Sequence, residues 1–426
     1  MNNLLVLLMV LLLAFASPLY SGFQPLNTQT SMDLYDMCFT DANTGYAVGH
    51  WGTVIKTTNG GDSWFLLETN VSNVFHSVYF LNQQTGWAVG GNGGIIKTTN
   101  AGINWLFHYL SESNFFSVYF LNAQTGWAIG RFSECLKSTD GGANWFSQVI
   151  PLMSGGLESI IFNNGKGYIG ANQSLTNLFT TTNEGVNWVN NKIGPGVGNT
   201  SIYDISFADF FGIAVGVDSN STSPAPLIFI TTDNGSSWDE KIIPNKKAVF
   251  YGVDICPINT NIIYCVGQYQ FDPIHGNRGL IMYSTNKGII WLEESWSTDS
   301  TVFEDVKITP NAVYIAGAKG LILKSELPVG ITPVGSVVPK AYVLSQNYPN
   351  PFNPITNIEF SIPKNGIVRL VVFDIMGREV TTLVNQALTA GRYKIDFNGS
   401  NLSSGTYFYK LSSGDYSVVK KLVLMK

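Results

Sequence analysis

Thr85-Gly86-Trp87-Ala88-Val89-Gly90-Gly91-Asn92-Gly93-Gly94-Ile95-Ile96-Lys97-Thr98-Thr99-Asn100-Ala101-Gly102-Ile103-Asn104-Trp105 reads as a short strand, a glycine turn, a second strand, a polar turn and the opening of a third strand on tryptophan. Residues 44–64 and 125–145 spell the same pattern, and looser copies run over 167–188, 212–238 and 264–291. The closing tryptophans (Trp64, Trp105, Trp145, Trp188, Trp238 and Trp291) fall 41, 40, 43, 50 and 53 residues apart. One further strand precedes each stretch, so a repeat carries four strands in roughly 40–50 residues, the period of a propeller blade.

In the second repeat the strands are expected over 75–81, 86–90, 94–98 and 105–109, from innermost to outermost. The innermost strands align as Leu34-Tyr35-Asp36, Phe75-His76-Ser77, Phe115-Phe116-Ser117, Leu157-Glu158-Ser159, Ile202-Tyr203-Asp204, Phe250-Tyr251-Gly252 and Phe303-Glu304-Asp305. The last repeat stops after Lys324, without polar turn or tryptophan strand. Phe23-Gln24-Pro25-Leu26 stands before Leu34 as Phe65-Leu66-Leu67-Glu68 stands before Phe75, so the N-terminal stretch is expected to supply the missing outer strand. That closure would leave no open edge. The expectation is an all-β, seven-bladed β-propeller over residues 22–326.

The polar turns carry a hydroxyl, then Asn or Asp, then glycine, then tryptophan at fixed offsets: Asn59 with Trp64, Asn100 with Trp105, Asp140 with Trp145, Asn183 with Trp188, Asp233 with Trp238 and Asn286 with Trp291. Asn and Asp bond backbone N–H groups two residues on, and hydroxyls do so more weakly. Glycine takes the positive-φ position. The tryptophan buries a large ring, its N–H expected to find a carbonyl. Turn chemistry alone accounts for all six copies.

Residues 327–340 read as a Pro/Gly/Val linker. Beyond it, alternating strands over 357–362, 367–373, 379–383, 393–397, 406–411 and 418–425 predict a small Ig-like β-sandwich spanning 341–426. Charged residues are only 12% of the 426, and the net charge of −5 gives no reason to expect nucleic acid. The balance is uneven: from Ala341 onward 9 Lys/Arg face 5 Asp/Glu, which leaves −9 for everything before. The apolar run 4–15 followed by Ala14-Phe15-Ala16 predicts a signal peptide over 1–16, too short for a comfortable membrane span and lacking the usual Lys or Arg ahead of it. Cys38, Cys135, Cys256 and Cys265 form no CxxC pair, which argues against zinc; Cys256 and Cys265 flank an apparent hairpin, leaving a disulfide open beside the preferred reading of four small buried hydrophobes.

The polar turns resemble the Asp-box of the bacterial neuraminidase (BNR) repeat, and with the Gly-Trp-Ala-Val-Gly motifs they resemble the photosystem II assembly-factor-like propellers, over roughly residues 31–324. The resemblance implies a seven-bladed propeller with structural Asp-boxes. Asn347-Tyr348-Pro349-Asn350-Pro351-Phe352-Asn353-Pro354, Met376-Gly377-Arg378-Glu379-Val380, Ser404-Gly405-Thr406-Tyr407-Phe408-Tyr409-Lys410-Leu411 and the basic ending Lys420-Lys421-Leu422-Val423-Leu424-Met425-Lys426 resemble the type A C-terminal sorting domain of the type IX secretion system. That resemblance implies export across a Bacteroidetes-type outer membrane, with the secretion machinery and its sortase as partners, removal of the domain, and a secreted or surface-attached product.

Ligands of propellers usually bind on the face with the second-to-third-strand turns, an inference from fold alone. Those turns and the crossovers offer His50, Trp51, His76, Phe115, Phe116, Arg131, Phe132, Tyr203, Phe271, Asp272, His275 and Arg278, side chains suited to sugar stacking or to anchoring a protein loop. Asp36, Asp204 and Asp305 share one position of the innermost strands and form a second set, suited to a cation or, more simply, to backbone N–H groups of the neighbouring blade. No metal or cofactor is expected. Only Arg131 and Arg278 precede residue 327, short of the three arginines a sialidase uses, and no GxSxG elbow or phosphate loop appears. The reading is a glycan- or protein-binding module without an assigned catalytic residue. The alternative is a glycoside hydrolase or lyase using propeller carboxylates, and a photosystem assembly role is disfavoured by the export signal.

Overall fold

The computed structural model describes residues 22–151, 155–173, 177–194, 200–219, 224–243, 246–270, 278–294, 296, 301–327, 331–333, 339–388, 390–400 and 402–426. Among these, seven four-strand antiparallel units fill the N-terminal part. Their innermost strands are Leu34–Phe39, Phe75–Phe80, Phe115–Phe120, Gly156–Asn163, Thr200–Ala208, Ala248–Ile255 and Phe303–Ile308. Each touches the innermost strand of the following unit, and Phe303–Ile308 touches Leu34–Phe39, so the contacts return to their start. This is the arrangement of a propeller. Four of the second strands, Gly86–Gly90 among them, are buried at every residue because neighbouring units cover both faces. The fourth and fifth units join into one eight-stranded sheet where Asn172 and Gln173 pair with Ser201 and Thr200.

The last unit takes its outer strand from the start of the chain, as expected. Gln24–Pro25 pairs with Lys324 and Leu323, and Leu26 N–H donates to Ile322 O at 2.8 Å. Thr28 Oγ1 adds a buried bond to Gly320 O at 2.6 Å.

One recurring contact clamps unit to unit. The aromatic residue of the second strand stacks on the phenylalanine that ends the next unit's innermost strand: Tyr46 on Phe80 at 3.7 Å and Trp87 on Phe120 at 3.5 Å between centroids. A lysine lies over the same ring, Lys56 over Tyr46 at 5.1 Å and Lys97 over Trp87 at 5.5 Å. Its ammonium donates to a carbonyl of the next unit's polar turn, Ala101 O at 2.9 Å and Gly141 O at 2.7 Å. Tyr314 on Phe39, with Lys324 bonded to Gly60 O at 2.6 Å, repeats the clamp from last unit to first. The last unit has no polar turn to be gripped, and at the lysine's place in the ladder the fourth, fifth and sixth units carry Thr180, Ile230 and Tyr283.

Six polar turns share one hydrogen-bond pattern. In the second, Thr98 Oγ1 accepts from Gly102 N–H at 2.9 Å and donates to Asn100 Oδ1 at 3.0 Å, and that oxygen accepts from Asn104 N–H at 2.9 Å. Asn59, Asp140, Asn183, Asp233 and Asn286 do the same in their turns. The tryptophans depart from expectation. Only Trp145 donates to a carbonyl, Gly142 O at 3.1 Å; the indole N–H groups of Trp64, Trp105, Trp188, Trp238 and Trp291 are buried without a partner. Ring packing fixes them instead: Trp64, Trp105, Trp145, Trp188 and Trp238 stand edge-to-face on Phe39, Phe80, Phe120, Phe162 and Phe207. All four cysteines are free thiols, which closes the disulfide alternative for Cys256 and Cys265.

The C-terminal part forms two four-stranded antiparallel sheets around one core that includes Ile358, Phe360, Val372, Ile395, Tyr409 and Leu422. All six predicted strands are present, the longest as Glu379–Leu388. Ile331–Pro333, inside the stretch read as linker, pairs with Gly391–Asn398 as an edge strand.

Candidate functional site

Every innermost strand carries a register shift at the same place, the residue between the first and third positions of the aligned triplets. A bulge of this kind inserts an unpaired residue and re-aims its side chain. The seven bulged residues are Tyr35, His76, Phe116, Glu158, Tyr203, Tyr251 and Glu304, all half-buried. They mark a mouth on the side where strands two and three turn, since the four turns described in full dock on the segment entering an innermost strand: His50 N–H donates to Asp33 O and Asn92 N–H to Asn114 Oδ1, both at 2.9 Å.

Ring contacts divide the mouth. Tyr35 and His76 lie 5.4 Å apart, His76 and Phe116 5.5 Å, and Tyr203 and Tyr251 5.6 Å between centroids. Glu158 and Glu304 separate the two aromatic arcs. Burial pushes the Glu158 carboxyl up to about 7; burial, then Asp33, does the same to Glu304. Burial and then His50 push His76 down to about 4, so its imidazole is neutral at pH 7. Among the described residues no basic side chain forms an ion pair with either glutamate.

Beneath the mouth lies the expected aspartate set, and its carboxylates hold backbone. Asp36 Oδ2 accepts from Val78 N–H at 2.8 Å, Asp204 Oδ2 from Val253 N–H at 2.9 Å and Asp305 Oδ2 from Met37 N–H at 2.9 Å, each in the next unit. Ser77 and Ser117 do likewise at 3.3 Å. One layer deeper are two residues the sequence reading missed. Asp254 Oδ2 accepts from Ile308 N–H at 2.7 Å, and Lys307 Nζ meets Asp305 Oδ1 at 2.7 Å and Asp36 Oδ1 at 3.6 Å. Burial works against the Lys307 charge, but Asp305, Asp36, Asp204 and Asp254 together hold it well above its ordinary value. Burial raises Asp204 to about 6, with Lys307 opposing, and raises Asp254 and Asp305 too. The cation this set accommodates is therefore a lysine of the chain itself. Among the described residues no group of three or more His, Cys, Asp or Glu is arranged to hold a metal ion.

The turn tips add exposed aromatic surface. Trp51 is 64% exposed and Phe132 75%, each in the left-handed region at φ 55° and 57°. A bulky residue is uncommon there. His50 stacks on Trp51 at 5.9 Å, and Arg131 lies over Phe132 at 5.2 Å. His76 and Tyr203 are two of the seven bulged residues. Phe115 is not: its ring is 0% exposed in the core, and Phe116, bulged beside it, faces the mouth instead. Phe271, Asp272 and His275 lie outside the described residues, while Arg278 closes its hairpin by accepting from Tyr269 N–H through its carbonyl at 2.7 Å.

The family model of the photosynthesis system II assembly factor YCF48 matches residues 16–112, and that of the secretion system C-terminal sorting domain matches residues 346–425. Among solved structures, YCF48 bound to D1 peptide is 19% identical at a TM-score of 0.57, covering 72% of this chain and 97% of that one. YCF48 from Cyanidioschyzon merolae is 16% identical at 0.57, covering 72% and 99%. A GH74 enzyme from Niastella koreensis is 11% identical at 0.58, covering 93% and 73%. At such identities the likeness is one of fold. No curated protein matches the chain. Among the described residues no helix is long and apolar enough to cross a membrane.

Proposed function

For a chain that joins a YCF48-like propeller to a secretion-system sorting domain, we propose the role of an exported binding module whose ligand seats on the mouth of bulged residues. In this reading the seven four-strand units are the blades of a seven-bladed ring over 22–326, closed by the N-terminal strand. Their polar turns are Asp-boxes. Residues 1–16 are a signal peptide, 327–340 connect the parts, and 341–426 are an Ig-like sandwich. The sandwich engages the type IX machinery and its sortase, and the propeller is left secreted or surface-attached.

The observation that carries the binding role is the sevenfold bulge: one residue per unit is released from pairing, and five of the seven carry aromatic or imidazole rings. Bulges cluster next to functional sites because they re-aim side chains. Trp51 and Phe132 extend the surface outward, and aromatic residues dominate binding hot spots. A YCF48 propeller of the same fold has been solved with a peptide bound, which supports a protein segment as ligand beside the glycan alternative. The test is a glycan array together with cross-linking to cell-surface proteins, using the full chain and its Tyr203→Ala and Trp51→Ala variants. A ligand captured by the parent and lost by both variants supports the reading; ligands indifferent to both substitutions sink it.

A second reading rests on Glu158 and Glu304, whose carboxyls near 7 suit general acid–base work. It makes the mouth a glycosidase or lyase site. Polysaccharide turnover abolished by Glu158→Gln or Glu304→Gln would establish it.

A further inference from the structure

We propose that the mouth receives a basic side chain, a lysine or arginine presented on a protein segment, seated between Glu158 and Glu304 and flanked by the arcs Tyr35–His76–Phe116 and Tyr203–Tyr251. The inference rests on the reading of the mouth as the binding site. Four observations support it.

The two glutamates stand on the fourth and seventh units, with aromatic rings between them on both sides, and no basic residue among those described pairs with either. A buried carboxylate without a counter-ion is costly, and a cation delivered by a ligand removes that cost. The neighbouring rings meet at 51°, 71° and 66°. Tilted, mutually packed rings offer no flat platform for a sugar ring, but their faces still attract a point charge.

The second support comes from beneath. The deeper carboxylates already enclose Lys307, so the axis is built around a cation, and that ammonium stops a second one from descending. An incoming basic group therefore halts at the glutamates. Third, His76 is neutral and does not repel it. Fourth, the excess negative charge before Ala341 steers basic segments toward this part of the molecule and polyanions away. The glutamates' protonation near pH 7 adds a signature: the cation binds the ionised form, so association releases protons and strengthens as pH rises.

The probe is a fluorescein-labelled dodecapeptide of Gly and Ser carrying spaced Lys and Arg, with a twin in which Gln replaces each basic residue. Anisotropy with the full chain is read at low salt, at about pH 6 and about pH 8, on either side of the glutamates. The basic peptide is expected to bind at least roughly tenfold tighter than its twin, and tighter at the higher pH. Glu158→Gln and Glu304→Gln are each expected to weaken it roughly fivefold and to flatten the pH dependence. Both variants remove a charge whose burial is unfavourable, so they should fold, as tryptophan fluorescence would show. Equal affinity for the two peptides, or indifference to both substitutions, overturns the inference. If Tyr203→Ala weakens both peptides alike, the mouth binds without cation selection and only this inference falls. If Tyr203→Ala changes nothing, the parent reading falls with it.

Discussion

Replacing Lys307 with methionine tests how the centre of the propeller holds its charge. The lysine contacts Asp305 at 2.7 Å and Asp36 at 3.6 Å, and it is the base toward which Asp204 and Asp254 are also attracted. Removing one partner of a fully buried pair costs about 3–5 kcal/mol, and of an exposed pair about 1 or less. Asp305 is 6% exposed and Lys307 29%, so the loss belongs toward the lower end of the buried range, about 3 kcal/mol at pH 8. The same substitution should be cheaper in acid. The carboxyls of Asp204, Asp254 and Asp305 are already displaced upward by burial, and without the lysine they take protons more readily still. Near pH 5 the residual cost should then be that of a lost hydrogen bond, about 1 kcal/mol. Urea unfolding followed by tryptophan fluorescence reads this cleanly, because all 10 tryptophans precede residue 297 and the C-terminal part has none. The midpoint should fall at both pH values, with the larger fall at pH 8 and unchanged slope. Equal losses at pH 5 and pH 8 would refute the idea that the lysine offsets ionised aspartates.

The parent chain should itself lose stability as pH rises from about 5 to about 8. Glu158 and Glu304 near 7 and Asp204 near 6 lie above their unfolded values, so the native state keeps protons that the unfolded chain has released, and their contribution is full below the unfolded values and gone above the folded ones, at about 1.4 kcal/mol per pH unit per fully displaced group. A urea midpoint that is flat or rising over that interval would contradict the burial of these carboxyls. Thr98→Val should cost about 1–3 kcal/mol by leaving the Gly102 N–H buried without its acceptor; a loss below about 0.5 kcal/mol would show the turn to be indifferent to its hydroxyl. Deleting residues 22–30 strips the outer strand from Ile322–Glu326 and exposes a sheet edge, so light scattering should report self-association. A monodisperse, equally stable product would mean that this pairing closes nothing of consequence.

How much of this was legible beforehand divides along a physical line. Features written within one strand or one turn were readable. The polar turns, the strand periods and the N-terminal strand's match to other outer strands all follow from local residue types. Features that arise between strands were not. A bulge is a mismatch of register between two strands, and nothing in Phe115-Phe116-Ser117 says which phenylalanine is left unpaired and which the core buries. Glu158 and Glu304 were passed over for the same reason, standing in alignment between residues that attracted notice by being aromatic or acidic at the third position. Lys307 and Asp254 lie two residues beyond that position, on adjacent units. One signal did point to them: Lys307 is the only lysine in the seven described innermost strands, in a column otherwise of Cys38, Tyr79, Tyr119, Ile161, Ser206 and Asp254. A charge on the innermost strand of a circular repeat needs a counter-charge from its neighbours, and the aspartates on either side supply it. The same logic separates the two layers of acid. The deeper carboxylates have backbone N–H groups and a lysine to satisfy them, whereas Glu158 and Glu304 have no basic partner within the described chain, which leaves the mouth as the layer whose charge balance an outside group can complete.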